Sequence, residues 1–244
     1  MINYNNHKIS AITYNGYSIK KVYGCDGKLV FEGEPTPQPM PEGDWKVKFE
    51  YANGNTRYIL KGNNTSAQTS DYSSYVAYWD GYQAIYDYES YYLNKNNITA
   101  VTFNKNTTYV GDGFLSGSTS LVYGYFQNCE TSSYIGNRAF YQCTSFREIL
   151  LCDTIKSIGN EAFRYCTSML SITIPKNVQT IGDFAFADSG LLLTTLLPTT
   201  PPNIGFYIFL NNNNMNGICV PPSAVSTYQS ANRWSEYASL IQTC

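Results

Sequence analysis

Apolar and polar positions recur along residues 135–221 with a step of 23. Ile-Gly stands at Ile135-Gly136, Ile158-Gly159, Ile181-Gly182 and Ile204-Gly205. Phe140, Phe163, Phe186 and Phe209 keep the same step, as do Ile149, Ile172, Thr195 and Ile218. A fourth set is Leu151, Ile174, Leu197 and Val220, whose last three members precede Pro175, Pro198 and Pro221. A fixed period of this length marks a solenoid. One coil offers a handful of apolar side chains, each worth about 1.5–3 kcal/mol if buried. Ordering the coil costs about 1–2 kcal/mol per residue. A lone coil therefore loses, and stacked coils sharing one core gain. From Ile135 the period is expected to hold without slippage. The stack begins earlier, because Val101, Phe103, Val110 and Gly111 line up with Ile172, Ile174, Ile181 and Gly182. The coil from Val110 is irregular.

Upstream the pattern changes. Residues 1–33 read as a small β module, with turns at Asn15-Gly16 and Asp26-Gly27 between short apolar runs. So short a piece rarely folds alone, so it is expected to pair with a partner or in a homo-oligomer. Residues 34–43 carry prolines at alternate positions and form an extended spacer. Residues 44–97 form a Tyr-rich β cap. Trp45 to Tyr51 alternates apolar and polar, Asn53-Gly54 turns, and Arg57 to Leu60 returns. Tyr78, Trp79, Tyr82, Tyr86 and Tyr88 follow, with Asp80, Asp87 and Glu89 among them. Rings mixed with carboxylates suit sugar or partner binding, but first of all suit packing at the end of a stack.

Composition removes several classes. Net charge is −2 with 14% charged residues, which argues against nucleic acid or an anionic membrane as partner. No apolar run approaches the ~20 residues of a membrane span. Residues 1–8 show no basic stretch leading into an apolar one, so they show no signal peptide: either one has been removed or the protein never had one. His7 is the sole histidine and no Cys-x-x-Cys occurs, so neither metal nor cofactor is expected. Cys129 and Cys152, and Cys143 and Cys166, are each 23 apart. They are either free buried thiols acting as small hydrophobes or rungs of a disulfide ladder. Gly111-Asp112-Gly113 is too short for a nucleotide loop.

The run Ile158-Gly159-Asn160-Glu161-Ala162-Phe163, Cys166-Thr167-Ser168-Met169, Ile172-Thr173-Ile174-Pro175, Val178 and Ile181-Gly182 resembles the BspA-type leucine-rich repeat. The resemblance covers about residues 98–241. It implies a mainly β, right-handed solenoid over residues 98–221, with one short parallel strand per coil. Strands are then expected at 101–103, 126–128, 149–151, 172–174, 195–197 and 218–220. Ile149 and Leu151 point inward. Glu148, Leu150, Ser171, Thr173, Thr194 and Leu196 face out and, with Arg147, form the exposed ligand face. Residues 222–244 are similar to the terminal cap of such proteins. A helix is expected over 225–240, with Ser223 as N-cap, covering the open end and so preventing edge-to-edge association.

These readings imply a non-enzymatic recognition protein contacting protein or glycan at a cell surface. Residues 11–30 resemble short N-terminal modules of phage structural proteins. That implies a phage virion protein of fibre or decoration type, bound to other virion proteins through residues 1–33. The alternative is a bacterial cell-surface adhesin. A carbohydrate-acting enzyme built on residues 72–92 ranks last.

Overall fold

The computed structural model describes residues 45–52, 54, 56–60, 77–79, 84–86, 95–105, 107–127, 130 and 132–243, and six short strands between residues 2 and 32. Side chains are described at 47–52, at 54 and, within those ranges, from residue 95. In the N-terminal part, β1 (Ile2–Tyr4) pairs with β2 (His7–Ile9), β3 (Thr13–Tyr14) with β4 (Tyr17–Ser18), and β5 (Lys21–Tyr23) with β6 (Leu29–Glu32), all antiparallel. Strands flank both expected turns; the turn residues and the 34–43 spacer lie outside the described residues.

The next hairpin joins β7 (Trp45–Tyr51) to β8 (Thr56–Leu60). Gly54 has φ +82° and donates its N–H to Tyr51 O at 2.9 Å. That left-handed turn is why Gly sits there. β9 (Ala77–Trp79) and β10 (Ala84–Tyr86) extend the same sheet outward. On its other edge, β7 pairs antiparallel with β11 (Ile98–Phe103), which begins the solenoid.

One strand per coil follows in parallel. These are β12 (Tyr123–Phe126), β14 (Glu148–Leu150), β16 (Ser171–Ile174), β18 (Leu193–Leu196) and β20 (Gly217–Val220). The ladder is continuous from β10 through β14 and again from β16 to the last strand, β21 (Ile241–Thr243). A second, narrower sheet closes the opposite side. It holds β13 (Tyr134–Ile135), β15 (Ser157–Ile158), β17 (Thr180–Ile181) and β19 (Asn203–Ile204), with Val110 bridged to Ile135 ahead of it.

Between the sheets the phenylalanines stack coil on coil. Phe140–Phe163, Phe163–Phe186 and Phe186–Phe209 centroids lie 5.3, 5.5 and 5.8 Å apart. The Ile-Gly glycines have a steric cause. A Cβ on Gly159 would lie 2.6 Å from Asn137 N and 2.7 Å from Gly136 C of the previous coil. Backbone cannot yield that space, so only glycine lets the coils close up. Between the sheets each coil turns through two left-handed residues four apart: Arg138/Gln142, Glu161/Tyr165, Phe184/Asp188 and Tyr207/Asn211. Gly113 and Gly117 hold the same places one coil earlier.

Four expectations change. The strand placed at 126–128 lies at Tyr123–Phe126, because Tyr123 pairs with Glu148, 25 residues on. The period also slips. Ile172 pairs with Thr194, 22 residues on, and Thr194 with Ile218, 24 on. One residue is missing around Ser189-Gly190, and one is added between Leu196 and Asn203. The two cancel, so the Ile-Gly row keeps its step of 23. Thr194 and Leu196 consequently point inward and are fully buried, not outward, while Leu197 is exposed.

The cap differs too. The helix α1 spans only Val225–Ser230, capped at Ala224 without a side-chain hydrogen bond. Ala231, extended at φ −70° and ψ 150°, ends it, and Arg233 follows at φ +62° ahead of a short 3-10 turn, Trp234–Tyr237. The chain returns as β21, which pairs with β20 and becomes the new sheet edge. Finally, Cys143, Cys152 and Cys166 are free thiols. Cys143 donates to Leu115 O at 3.1 Å and Cys166 to Phe140 O at 3.2 Å. Cys129 lies outside the described residues.

Candidate functional site

Strand alternation places every second side chain of the larger sheet outside. Register fixes the rows. One row reads Glu50, Ala100, Tyr123, Glu148; the next reads Lys48, Thr102, Tyr125, Leu150. Gly124, between the tyrosines, points inward. A Cβ there would lie 3.0 Å from Ile149 and Phe146. The inner side is therefore full, and the Tyr123 and Tyr125 rings stand outward. They are 39% and 36% exposed, near-parallel, with centroids 6.2 Å apart. Leu150 beside them is 54% exposed. Lys48 pairs with Glu50 at 2.5 Å. Glu148 makes no ion pair among the described residues. Burial raises the Tyr125 phenol pKa, and Glu148, Tyr123 and Glu50 raise it further.

The face continues across β16, where Ser171 and Thr173 are exposed as expected. β18 contributes half-buried Leu193 and Thr195. Arg147 is exposed but precedes β14, and its N–H donates to Val122 O at 3.0 Å, so it stands at the rim. Of the expected face residues, Leu150, Ser171 and Thr173 thus come together with Arg147 beside them, and Thr194 does not join. Tyr78 and Trp79 in β9 and Tyr86 in β10 have described backbone only. Tyr82 and Tyr88 lie outside the described residues. Tyr123 and Tyr125 were missed by the sequence reading. Their signal was the alternation Tyr-Gly-Tyr, hidden by a strand placed three residues late.

A second surface lies over the narrow sheet. Asp112 Oδ1 accepts from Asn137 N, Asn137 Oδ1 from Asn160 N, Asn160 Oδ1 from Asp183 N, and Asp183 Oδ1 from Phe206 N, all at 2.7–2.8 Å. Each side chain reaches forward to the backbone of the next coil, so this ladder ties neighbouring coils together. It also accounts for Asp112 in Gly111-Asp112-Gly113. An open groove of about 520 Å³ runs beside it, lined by Asp112, Ser116, Asn137, Arg138, Asn160 and Glu161. Arg138 pairs with Glu161 at 2.6 Å, and Arg164 pairs with Glu161 at 3.3 Å and Asp188 at 3.0 Å. These charges satisfy one another across coils, so the groove is a structural seam.

Among the described residues, no group of His, Cys, Asp and Glu is placed to hold a metal ion, and no helix is long and apolar enough to cross a membrane.

Residues 133–235 match the model of the BspA type leucine rich repeat region, in six copies. Similar solved structures include a leucine-rich repeat protein of T. pallidum at 22% identity and a TM-score of 0.45, covering 52% of this chain and 65% of that one. A leucine-rich repeat protein of Eubacterium ventriosum matches at 18% identity and a TM-score of 0.49, covering 55% and 35%. A leucine rich cell surface protein of Faecalibacterium prausnitzii matches at 17% and 0.40, covering 88% and 55%. The chain spans less than two thirds of each of these. No curated protein matches it. Coil geometry and family match agree over the repeat, and residues 133–235 form a β-solenoid segment that matches the BspA type leucine rich repeat region.

Proposed function

We propose that the chain is a recognition or adhesion module without catalytic chemistry, binding a partner on the outer face of its strand rows. One observation carries this: Tyr123, Tyr125 and Leu150 stand exposed side by side on a sheet whose inner face is fully packed. Exposed apolar groups clustered on one rigid surface mark interaction sites, and aromatic residues dominate interface energetics. The repeat supports the same reading, since solenoids present extended faces for binding. The test is binding of the labelled chain to arrays of surface glycans and proteins. The Tyr123→Ala/Tyr125→Ala/Leu150→Ser variant loses binding more than about tenfold, while Gln142→Gly on the turn side keeps it. Equal loss in both variants, or in neither, sinks the proposal.

The finer reading places this face on a phage virion, mounted through residues 1–33 and held out by the 34–43 spacer. It is supported by the resemblance of residues 11–30 to phage structural modules. The alternative is a bacterial cell-surface adhesin of the same binding design. Mass spectrometry of purified particles against cell-envelope fractions separates the two. Recovery in particles supports the virion, and recovery in the envelope supports the adhesin.

A further inference from the structure

The strand face is not uniform, and its ends differ in chemistry. Towards β16 and β18 it offers the hydroxyls of Ser171, Thr173 and Thr195, with no charge. Towards β12 it is aromatic and acidic. Glu148 stands next to Tyr123 in register, and Glu50 stands in the same row beyond small, buried Ala100. Lys48, the cation in these rows, is engaged by Glu50, which leaves the Glu148 carboxylate, among the described residues, without an ion-pair partner beside the ring pair. Three occupants compete for such a surface. An anion is repelled by Glu148 and by the negative ring faces. A pyranose needs a whole ring face, and the facing sides of this pair, 6.2 Å apart, leave no room for one. A compact cation needs only to come within about 6 Å of a ring centroid; the 6.2 Å spacing is too tight to admit one between the near-parallel faces, so it sits at the open mouth of the pair, within that reach of both centroids. Glu148 then supplies the counter-charge at the margin.

Resting on the proposal that this face is the recognition surface, we propose that the Tyr123–Tyr125 pair with Glu148 is the seat of a lysine or arginine side chain from an extended basic segment of a protein partner. Leu150 and Thr102, in the Tyr125 row, border the path of that segment. The attraction is partly coulombic and exposed to solvent, so salt weakens it.

The probe is an acetylated hexapeptide alternating serine and lysine, titrated while the ring resonances of Tyr123 and Tyr125 and the backbone amide resonances of Thr102 and Leu150, present in every variant, are followed. A serine–glutamate hexapeptide and cellohexaose serve as the other arms. The expected result is saturable shifts with the lysine peptide alone, weakened by added salt. Glu148→Gln weakens binding about three- to fivefold. Tyr123→Ala/Tyr125→Ala removes it, and Tyr123→Phe/Tyr125→Phe, which keeps the rings, retains it. All the variants lie on the exposed face, and unchanged thermal unfolding shows that they are folded. The proposal is overturned if the lysine peptide does not bind, if cellohexaose saturates the same resonances instead, or if Glu148→Gln binds as tightly as the parent. Array binding lost in the face variant together with a silent lysine peptide would leave the recognition reading standing and remove this inference alone.

Discussion

Thr194 puts a hydroxyl where the coils before and after it put the aliphatic side chains of Ile172 and Ile218. Its Oγ1 is fully buried and has no hydrogen-bond partner. A buried polar group left unpaired costs about 1–3 kcal/mol. Thr194→Val removes the hydroxyl at constant shape, so it should stabilise the chain by about 1–2 kcal/mol; a urea midpoint at or below that of the parent would contradict the burial. Gly159→Ala should cost about 1–3 kcal/mol, because its Cβ meets backbone of the preceding coil. The thiols add a pH dependence. Burial pushes the Cys143 pKa up to about 12 and that of Cys166 well above its usual range. In the unfolded chain both ionise near pH 8.5. Above that pH the unfolded state has lost protons that the folded state keeps, so stability falls as pH rises. Unfolding titrations from pH 7 to 10 should show this decline, and Cys143→Ala/Cys166→Ala should flatten it.

At the scale of elements, the coil length decides what could be read in advance. The Ile-Gly row was legible because its glycines face backbone, where neither insertion nor bulk is tolerated. The strands at Glu148–Leu150, Ser171–Ile174 and Gly217–Val220 were placed within about a residue for the same reason of fixed step. The strand Leu193–Leu196 was misread because a one-residue deletion and a one-residue insertion fall within the same coil and cancel at every landmark outside it. In the run Leu191-Leu192-Leu193, apolarity alone does not tell inward from outward positions. Only register does, and register needs the paired strand. Tyr123 and Tyr125 were missed because their coil is two residues longer than the rest. The cap was legible in place but not in form, since the chain turns extended at Ala231 and left-handed at Arg233 instead of continuing the helix. Its guanidinium donates to Ile204 O at 3.0 Å and stands 3.7 Å over Phe206. Gly205 N donates to Ile181 O in the equivalent position one coil earlier, so Arg233 takes the part of a next coil. Trp234 is buried and donates to Pro202 O at 2.8 Å, and Tyr228 donates to Pro198 O at 2.9 Å. Trp234→Ala should cost about 3–5 kcal/mol. Hydrogen exchange should then open β20 and β21 first; uniform loss of protection along the stack would show that the cap does not act locally.

For the whole molecule, the two long surfaces divide their work. On one, the Asp112–Asn137–Asn160–Asp183 ladder and the Arg138–Glu161–Arg164–Asp188 pairs are satisfied between coils and hold the stack together. On the other, the outward strand positions contribute nothing to the core and are free to carry recognition. Tyr123, Tyr125 and Leu150 stand exposed there, as Phe206 and Tyr207 do on the turn side of the last coil. The most direct test compares array binding of the parent chain, the Tyr123→Ala/Tyr125→Ala/Leu150→Ser variant and the Gln142→Gly turn-side variant, with equal thermal stability verified for all three. The face variant should lose binding by more than about tenfold with the turn-side variant unchanged; full binding by the face variant would contradict the assignment of recognition to this surface.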